Sequence, residues 1–279
     1  MSLHLLFEKS VKEALLEDLG RAGDITTASI FKKNVKIEAV LVARKCGVLC
    51  GAATALTAFK LIDPEIIYEN LLEDRALVNS GDIIARINGS ATSILAAERV
   101  ALNFMGHLSG IATLTAKYVS QISHTHTKIC DTRKTTPNLR ALEKYAVSCG
   151  GGVNHRFGLD DAILIKDNHI AVAGGVANAL RAAKEKIGHL VKIEIEVDTL
   201  DQLREALYEG VDVVLLDNMS IAQLTESVRI INKQALSEAS GGISLDTVVA
   251  VAETGVDLIS VGALTHSAPV LDMGLDIQL

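Results

Sequence analysis

From residue 128 onward, short apolar runs alternate with longer stretches of helical period. The runs are KICDT (128–132), AILIKD (162–167), VKIEIEVD (191–198), DVVLLDN (212–218), LSEASGG (236–242) and LISVGALT (258–265). Between them lie NLRALEKYAV, VANALRAAKEKI, LDQLREALYEG, IAQLTESVRII and SLDTVVAVAETG, each carrying one apolar stripe. Runs too short for helices, separated by segments of helical length, predict β/α units around a parallel sheet. Thr199 with Asp198, and Ser244, stand where helix caps are expected. Six or seven such units approach a closed, TIM-like β/α barrel without a strict eightfold count, with a doubly wound sheet as the rival. The first 90 residues follow a different order. SVKEALLEDLG and TALTAFKLI read as helices, VKIEAVLVARKCGVLCG and DIIARING as strands, and a long helix spans residues 93–123. That order predicts an α+β domain with an antiparallel sheet. The expected division is an N-terminal domain over 1–110 and a β/α barrel catalytic domain over 111–266. Residues 267–279 are expected to pack back on the former.

Composition narrows this picture. Half of the 279 residues are hydrophobic, yet only 3% are aromatic and Trp is absent. The core must be aliphatic, as parallel sheets usually are. The net charge of −7 with few aromatics argues against a nucleic-acid partner. The longest uncharged stretch, residues 100–116, holds Asn103, His107 and Ser109, which suits a buried helix better than a membrane span. The start MSLHLLFEKS lacks the basic and apolar regions of a secretory signal, so a soluble cytoplasmic protein is expected. The four cysteines fit neither a zinc spacing nor a disulfide framework, and Cys46 and Cys50 read as small buried hydrophobes.

Barrel enzymes gather their chemistry at the carboxyl ends of the strands. Nearly every run here ends in a polar group: Asp131 and Arg133, Lys166 and Asp167, Glu194 and Glu196, Asp217 and Asn218. Glu194 and Glu196 are two apart, so both face one side of their strand, either the barrel axis or an exposed face. SGGIS (240–244) and VGALT (261–265) end the last two runs. They are either ordinary turn glycines or a cradle whose backbone N–H groups meet a phosphate. The basic residues Arg133, Lys134, His155, Arg156 and Lys166 fall at strand ends or in the loop CGGGVNHRFG. Singly, each could be a solvated surface charge; together they suggest an anion site. The global negative charge does not forbid one, because exposed charges are screened beyond roughly 8 Å. A cation about 4 Å from an anion in a partly desolvated site contributes about 4 kcal/mol. Other residues carry milder readings. His124 and His126 suit a polar loop, Asp160 and Asp161 a capped turn, His107 a satisfied core position, and Arg99 a pair with a nearby acid.

The stretch DTRKTTPNLRALEKYAVSCGGGVNHRFGLDDAILIKDNHI (131–170) closely resembles the central signature of the quinolinate phosphoribosyltransferase family. The likeness extends to AERVALNFMGHLSGIAT, IEIEVDTLDQL, VDVVLLDNM and SGGISLDTVVAVAETGVDLISVGALTHSAP, and more loosely to EDLGRAGDITT. The resemblance implies an N-terminal α/β sandwich, an incomplete barrel, and a homo-oligomer that is at least a dimer. It implies that quinolinate and phosphoribosyl pyrophosphate are joined with Mg²⁺ present, giving nicotinate mononucleotide, pyrophosphate and CO₂ in NAD biosynthesis. Arg133, His155, Arg156 and Lys166 would line the quinolinate site with Lys134 beside them, and Arg99 would come from the neighbouring subunit. Glu196 and Asp217 would serve the ribose and, indirectly, the metal. Ser240, Gly241, Gly262 and His266 would lie at the phosphate end. Lys134, Lys166, Glu196 and Asp217 are the expected catalytic groups, with Glu194 and Glu196 both candidates for the functional carboxylate. The alternatives are a phosphoribosyltransferase of the same fold acting on another aromatic acid, or a non-catalytic binding paralogue.

Overall fold

The structure is a computed structural model that describes residues 3–31 and 35–278. Its N-terminal part holds α1 (Leu3–Leu19), α2 (Ile25–Ile30), β1 (Lys36–Ala43), β2 (Gly47–Val48), α3 (Ala52–Ile62) and β3 (Ile67–Asn70). There follow β4 (Leu77–Val78), β5 (Ile83–Ser90) and the long α4 (Ala91–Gln121). Next come β6 (Lys128–Cys130), α5 (Arg140–Cys149), β7 (Ile163–Ile165), α6 (Asp167–Ala173) and α7 (Val176–Lys186). The rest is β8 (Ile193–Val197), α8 (Leu200–Glu209), β9 (Val213–Asp217), α9 (Ile221–Ile231) and β10 (Leu236–Ser240). The chain ends with α10 (Val248–Ala252), β11 (Leu258–Ser260), α11 (Ala263–His266) and β12 (Met273–Gln278).

Internal contacts divide the chain into two compact units. One comprises residues up to Ala116, Thr135–Gly151 and those from Leu264 on; the other comprises Lys117–Lys134 and Gly152–Ala263. In the first unit an antiparallel sheet has the order β12-β1-β5-β3 among the described residues. Residues 39–43 of β1 are all buried, because strands pair on both sides of it. The apolar positions of α3 bury Phe59 completely, and α1 packs against this helix. Two elements lack a clean signal in the sequence: β3 is mostly exposed, and β12 lies far along the chain from its partner β1.

In the second unit the sheet is parallel throughout, with the order β6-β11-β10-β9-β8-β7 among the described residues. From β7 to β11 the strands step in one direction with no reversal, and helices α6 to α10 pack each on the next. A doubly wound sheet would reverse at a switch point. The sheet is instead an incomplete barrel, open between β6 and β7. Thr199 caps α8 by accepting the Gln202 N–H at 3.2 Å while the Gln202 side chain reaches back, a reciprocal capping box. Ser220 and Gln223 repeat the device on α9. Ser244 is not the cap expected of it: α10 starts later, at Val248, and the hydroxyl of Thr247 at the cap position accepts the Ser244 N–H at 2.9 Å. Cys50 is buried as expected, but Cys46 is exposed, because the chain turns between β1 and β2 there.

Candidate functional site

A cavity of about 570 Å³ opens at the carboxyl ends of the parallel strands. The pleat determines what reaches it. Residues two apart on a strand share a face, and the lining uses such positions: Leu164 and Lys166, Leu215 and Asp217, Glu238 and Ser240. Glu196 joins them, while Glu194 sits deeper on the same face, 7% exposed. Arg133 and Lys134 enter from the segment after β6, His155 and Arg156 from the glycine-rich loop after α5. Five basic residues separated by up to 33 positions in sequence thus line one space.

Each side chain has an evident support. Asp131, fully buried, accepts the His155 N–H at 2.9 Å, which ties the loop to the end of β6. Asp161 accepts the N–H groups of Phe157 and Gly158 at 2.6 and 2.9 Å, capping the next turn. The Arg156 N–H donates to His155 Nδ1 at 2.8 Å, so Nδ1 is the unprotonated nitrogen. The proton belongs on Nε2, which faces a Glu194 oxygen at 2.8 Å and a Glu238 oxygen at 3.7 Å. The imidazole therefore braces the Arg156 backbone on one side and a carboxylate pair on the other. Arg156 donates through Nη1 to the Ala162 carbonyl at 2.9 Å. Burial, and then the neighbouring Arg133, lower its pKa, but a guanidinium still keeps its charge at neutral pH. Both arginines hold a buried Nε without a partner. Such donors are costly to leave unmade, and an incoming anion would satisfy them.

Carboxylates balance these cations. Lys166 Nζ meets Glu196 Oε2 at 3.1 Å. Glu238 is 2% exposed, and burial, reinforced by the nearby Glu194, pushes its carboxyl up to about 7. At the glycine turn, the Asn218 N–H donates to the Ser240 carbonyl at 2.9 Å. Gly241 adopts φ +100°, and a Cβ there would run into the Asn218 side chain and backbone. Only glycine fits, which leaves the turn's backbone open to the cavity.

Among the residues expected at the site, Gly262, His266 and Arg99 do not line this cavity. His266 hydrogen-bonds Ser267 at 2.6 Å. Arg99 lies exposed on α4, 3.9 Å from Glu98, beside Glu17 and Asp18. The histidines His124 and His126 make surface pairs with Glu253 and Asp257, and His107 is satisfied by Glu143 at 2.9 Å. The sequence reading passed over Glu238 and Ser260, which also line the cavity. The spacing rule that brought out Glu194 and Glu196 applies equally to Glu238 and Ser240. Glu196 and Asp217 offer hard oxygen donors on the cavity wall, too few to cage an ion. They fit Mg²⁺, which binds through one or two carboxylates and keeps waters and substrate phosphates.

An open β/α barrel with paired arginines, two lysines and a glycine turn at its strand ends defines an enzyme for small substrates bearing several negative charges. Residues 24–109 and 111–276 match the N-terminal and C-terminal domains of the family described as quinolinate phosphoribosyl transferase. The chain is 44% identical to a probable carboxylating nicotinate-nucleotide pyrophosphorylase of Bacillus subtilis, covering 99% of this chain and 95% of the relative. It is 43% identical to the Mycobacterium leprae enzyme of that name, covering 96% of each chain. The solved structure of the nicotinate-nucleotide pyrophosphorylase from Francisella tularensis superimposes with a TM-score of 0.95 at 41% identity, over 99% of this chain and 97% of that one. The chain belongs to the quinolinate phosphoribosyltransferase family, and is an enzyme of the pentosyltransferase class.

Proposed function

We propose that this enzyme transfers the phosphoribosyl group of phosphoribosyl pyrophosphate to quinolinate and releases pyrophosphate and CO₂, leaving nicotinate mononucleotide. The observation that carries this reading is the pair of arginines with unpartnered buried donors, set beside two lysines in one cavity. A pyridine dicarboxylate is flat and doubly charged. Arginine forks grip carboxylates through paired hydrogen bonds, and Leu164 and Leu215 offer an apolar surface to the ring. The phosphate end of the cosubstrate is assigned to the Ser240–Gly241 turn.

The pyridine nitrogen forms the new bond to the anomeric carbon while the bond to pyrophosphate breaks, and its electron pair leaves with pyrophosphate. Positive charge develops on the sugar, and Glu196 or Asp217 would stabilise it electrostatically. Lys166 holds Glu196 in place before substrate arrives. Quaternisation of the nitrogen then lets the adjacent carboxylate leave as CO₂, its bonding pair remaining on the ring carbon until a proton replaces it. Lys134 and Lys166 would hold that carboxylate. Glu196 and Asp217 would hold Mg²⁺ through the substrate phosphates, where it would neutralise the departing pyrophosphate. We further assign the enzyme to a homo-oligomer in which Arg99 serves a neighbouring subunit, and to the cytoplasm, whose reducing conditions suit four free cysteines. Among the described residues, no helix is long and apolar enough to cross a membrane.

The test is CO₂ release with Mg²⁺ present: quinolinate should give it and nicotinate should not. Arg133→Ala and Arg156→Ala should keep the fold yet lose at least ~30-fold in kcat/KM, since an unpaired charge in such a site costs about 2–5 kcal/mol. Near-normal kinetics in both variants would reject the pocket.

A further inference from the structure

The α4 side of the first unit holds a chemical group that the transfer reaction does not use. Cys50 and Cys149 belong to separate segments of that unit, yet their sulfurs and an oxygen of Asp74 lie within 4.8 Å of one another. Both backbones are pinned to α4. Ser109 accepts the Cys50 N–H at 2.8 Å and donates to its carbonyl at 3.0 Å. The adjoining Gly51 packs against Leu108 and Met105 so closely that a Cβ would approach them to 3.1 and 3.3 Å. Gly150, following Cys149, meets the Ala112 carbonyl with no room for a Cβ. Two thiols fixed this way have a high effective concentration toward each other.

Two chemistries suit such a pair: a thiophilic cation or a disulfide. The surroundings favour the second. Both Asp74 oxygens are engaged, one by the Ala52 N–H at 2.9 Å and the other by the Tyr145 hydroxyl at 2.8 Å. The Arg75 guanidinium beside Cys149 would repel a metal ion but stabilise a thiolate. We propose that Cys50 and Cys149 form an oxidisable dithiol site, in which the Cys149 thiolate attacks a peroxide and Cys50 closes the disulfide. The Cys149 thiolate takes an oxygen from hydrogen peroxide, giving sulfenic acid and hydroxide. The Cys50 thiol then attacks that sulfur, its proton leaves with the hydroxyl as water, and the S–S bond forms. Overall, two thiols and one peroxide give one disulfide and two waters. The polarity fits: hydrogen bonding from Cys50, aided by Tyr145 and Arg75, brings the Cys149 thiol down to about 7 against the effect of burial. Cys50 is driven the opposite way, by its hydrogen bond to Cys149 and by burial, and stays a thiol until it attacks.

The test treats the full chain with hydrogen peroxide near pH 7, blocks remaining thiols with an alkylating agent, and maps peptides by mass spectrometry. The expected product is a Cys50–Cys149 cross-link that dithiothreitol reverses. Cys149 should be consumed ahead of the exposed Cys46, because Cys50 and Arg75 stabilise its thiolate. In Cys50→Ala the reaction should stop at a sulfenic acid on Cys149 that dimedone traps. Oxidation confined to Cys46 while Cys50 and Cys149 survive would overturn the proposal, and the wild-type map alone decides it if the variant does not fold. Stoichiometric zinc uptake that consumes both thiols without peroxide reactivity would overturn it too.

Discussion

Glu238 shows how one residue can tie stability to function. It is buried beside Glu194 and His155, and it lines the same cavity as the arginines. Two carboxylates this close do not both ionise readily, so the folded protein holds a proton there up to about pH 7, against 4.5 for an ordinary glutamate. Between those values the folded state binds more protons than the unfolded chain, so stability must fall as pH rises across that window. Glu238→Gln cannot ionise, and its Tm should change less than the wild type's from pH 5 to 8. Parallel Tm profiles for the two proteins would remove Glu238 from this role. His155 teaches a related lesson. Its place at the cavity was legible from the loop sequence, but not that both ring nitrogens are engaged, one by the Arg156 backbone and one by Glu194. Those partners come from a loop and a strand that only folding brings together.

At the scale of elements, the alternation of short apolar runs with stretches of helical period carried most of the information. The six apolar runs after residue 128 all became strands, and each stretch of helical period between them became a helix. Short elements were harder. α6 begins directly after its cap Lys166 with one buried residue, so it offers no apolar stripe to recognise. The turn after β10 makes a sharper case. Its two glycines could have been ordinary punctuation, but Gly241 presses against Asn218 of the neighbouring strand end. Gly241→Ala should displace that turn and forfeit a charge-assisted backbone hydrogen bond of about 1.5 kcal/mol, raising the KM for phosphoribosyl pyrophosphate about tenfold. A lowered Tm with that KM unchanged would mean the glycine serves packing only.

For the whole molecule, the proposed assembly makes a quantitative prediction. Arg99 is exposed on its own chain and paired only loosely with Glu98. If it completes a partner's site in a dimer, mixing Arg99→Ala with Lys166→Ala chains restores one intact site in every mixed dimer. Random exchange makes half the dimers mixed, so about a quarter of wild-type activity should return. No recovery, with exchange confirmed by mass, would place Arg99 outside the site. The sequence by itself determined the fold class, the strand–helix order and the kinds of residues at the strand ends, because alternation and local capping are short-range properties written along the chain. Tertiary structure alone decided that the returning C-terminal segment does so as a strand paired with β1, and that the barrel stays open between β6 and β7. It also decided which carboxylates are buried, and that Cys50 meets Cys149. These depend on contacts between residues remote in sequence, whose burial and desolvation exist only once the chain has closed around them.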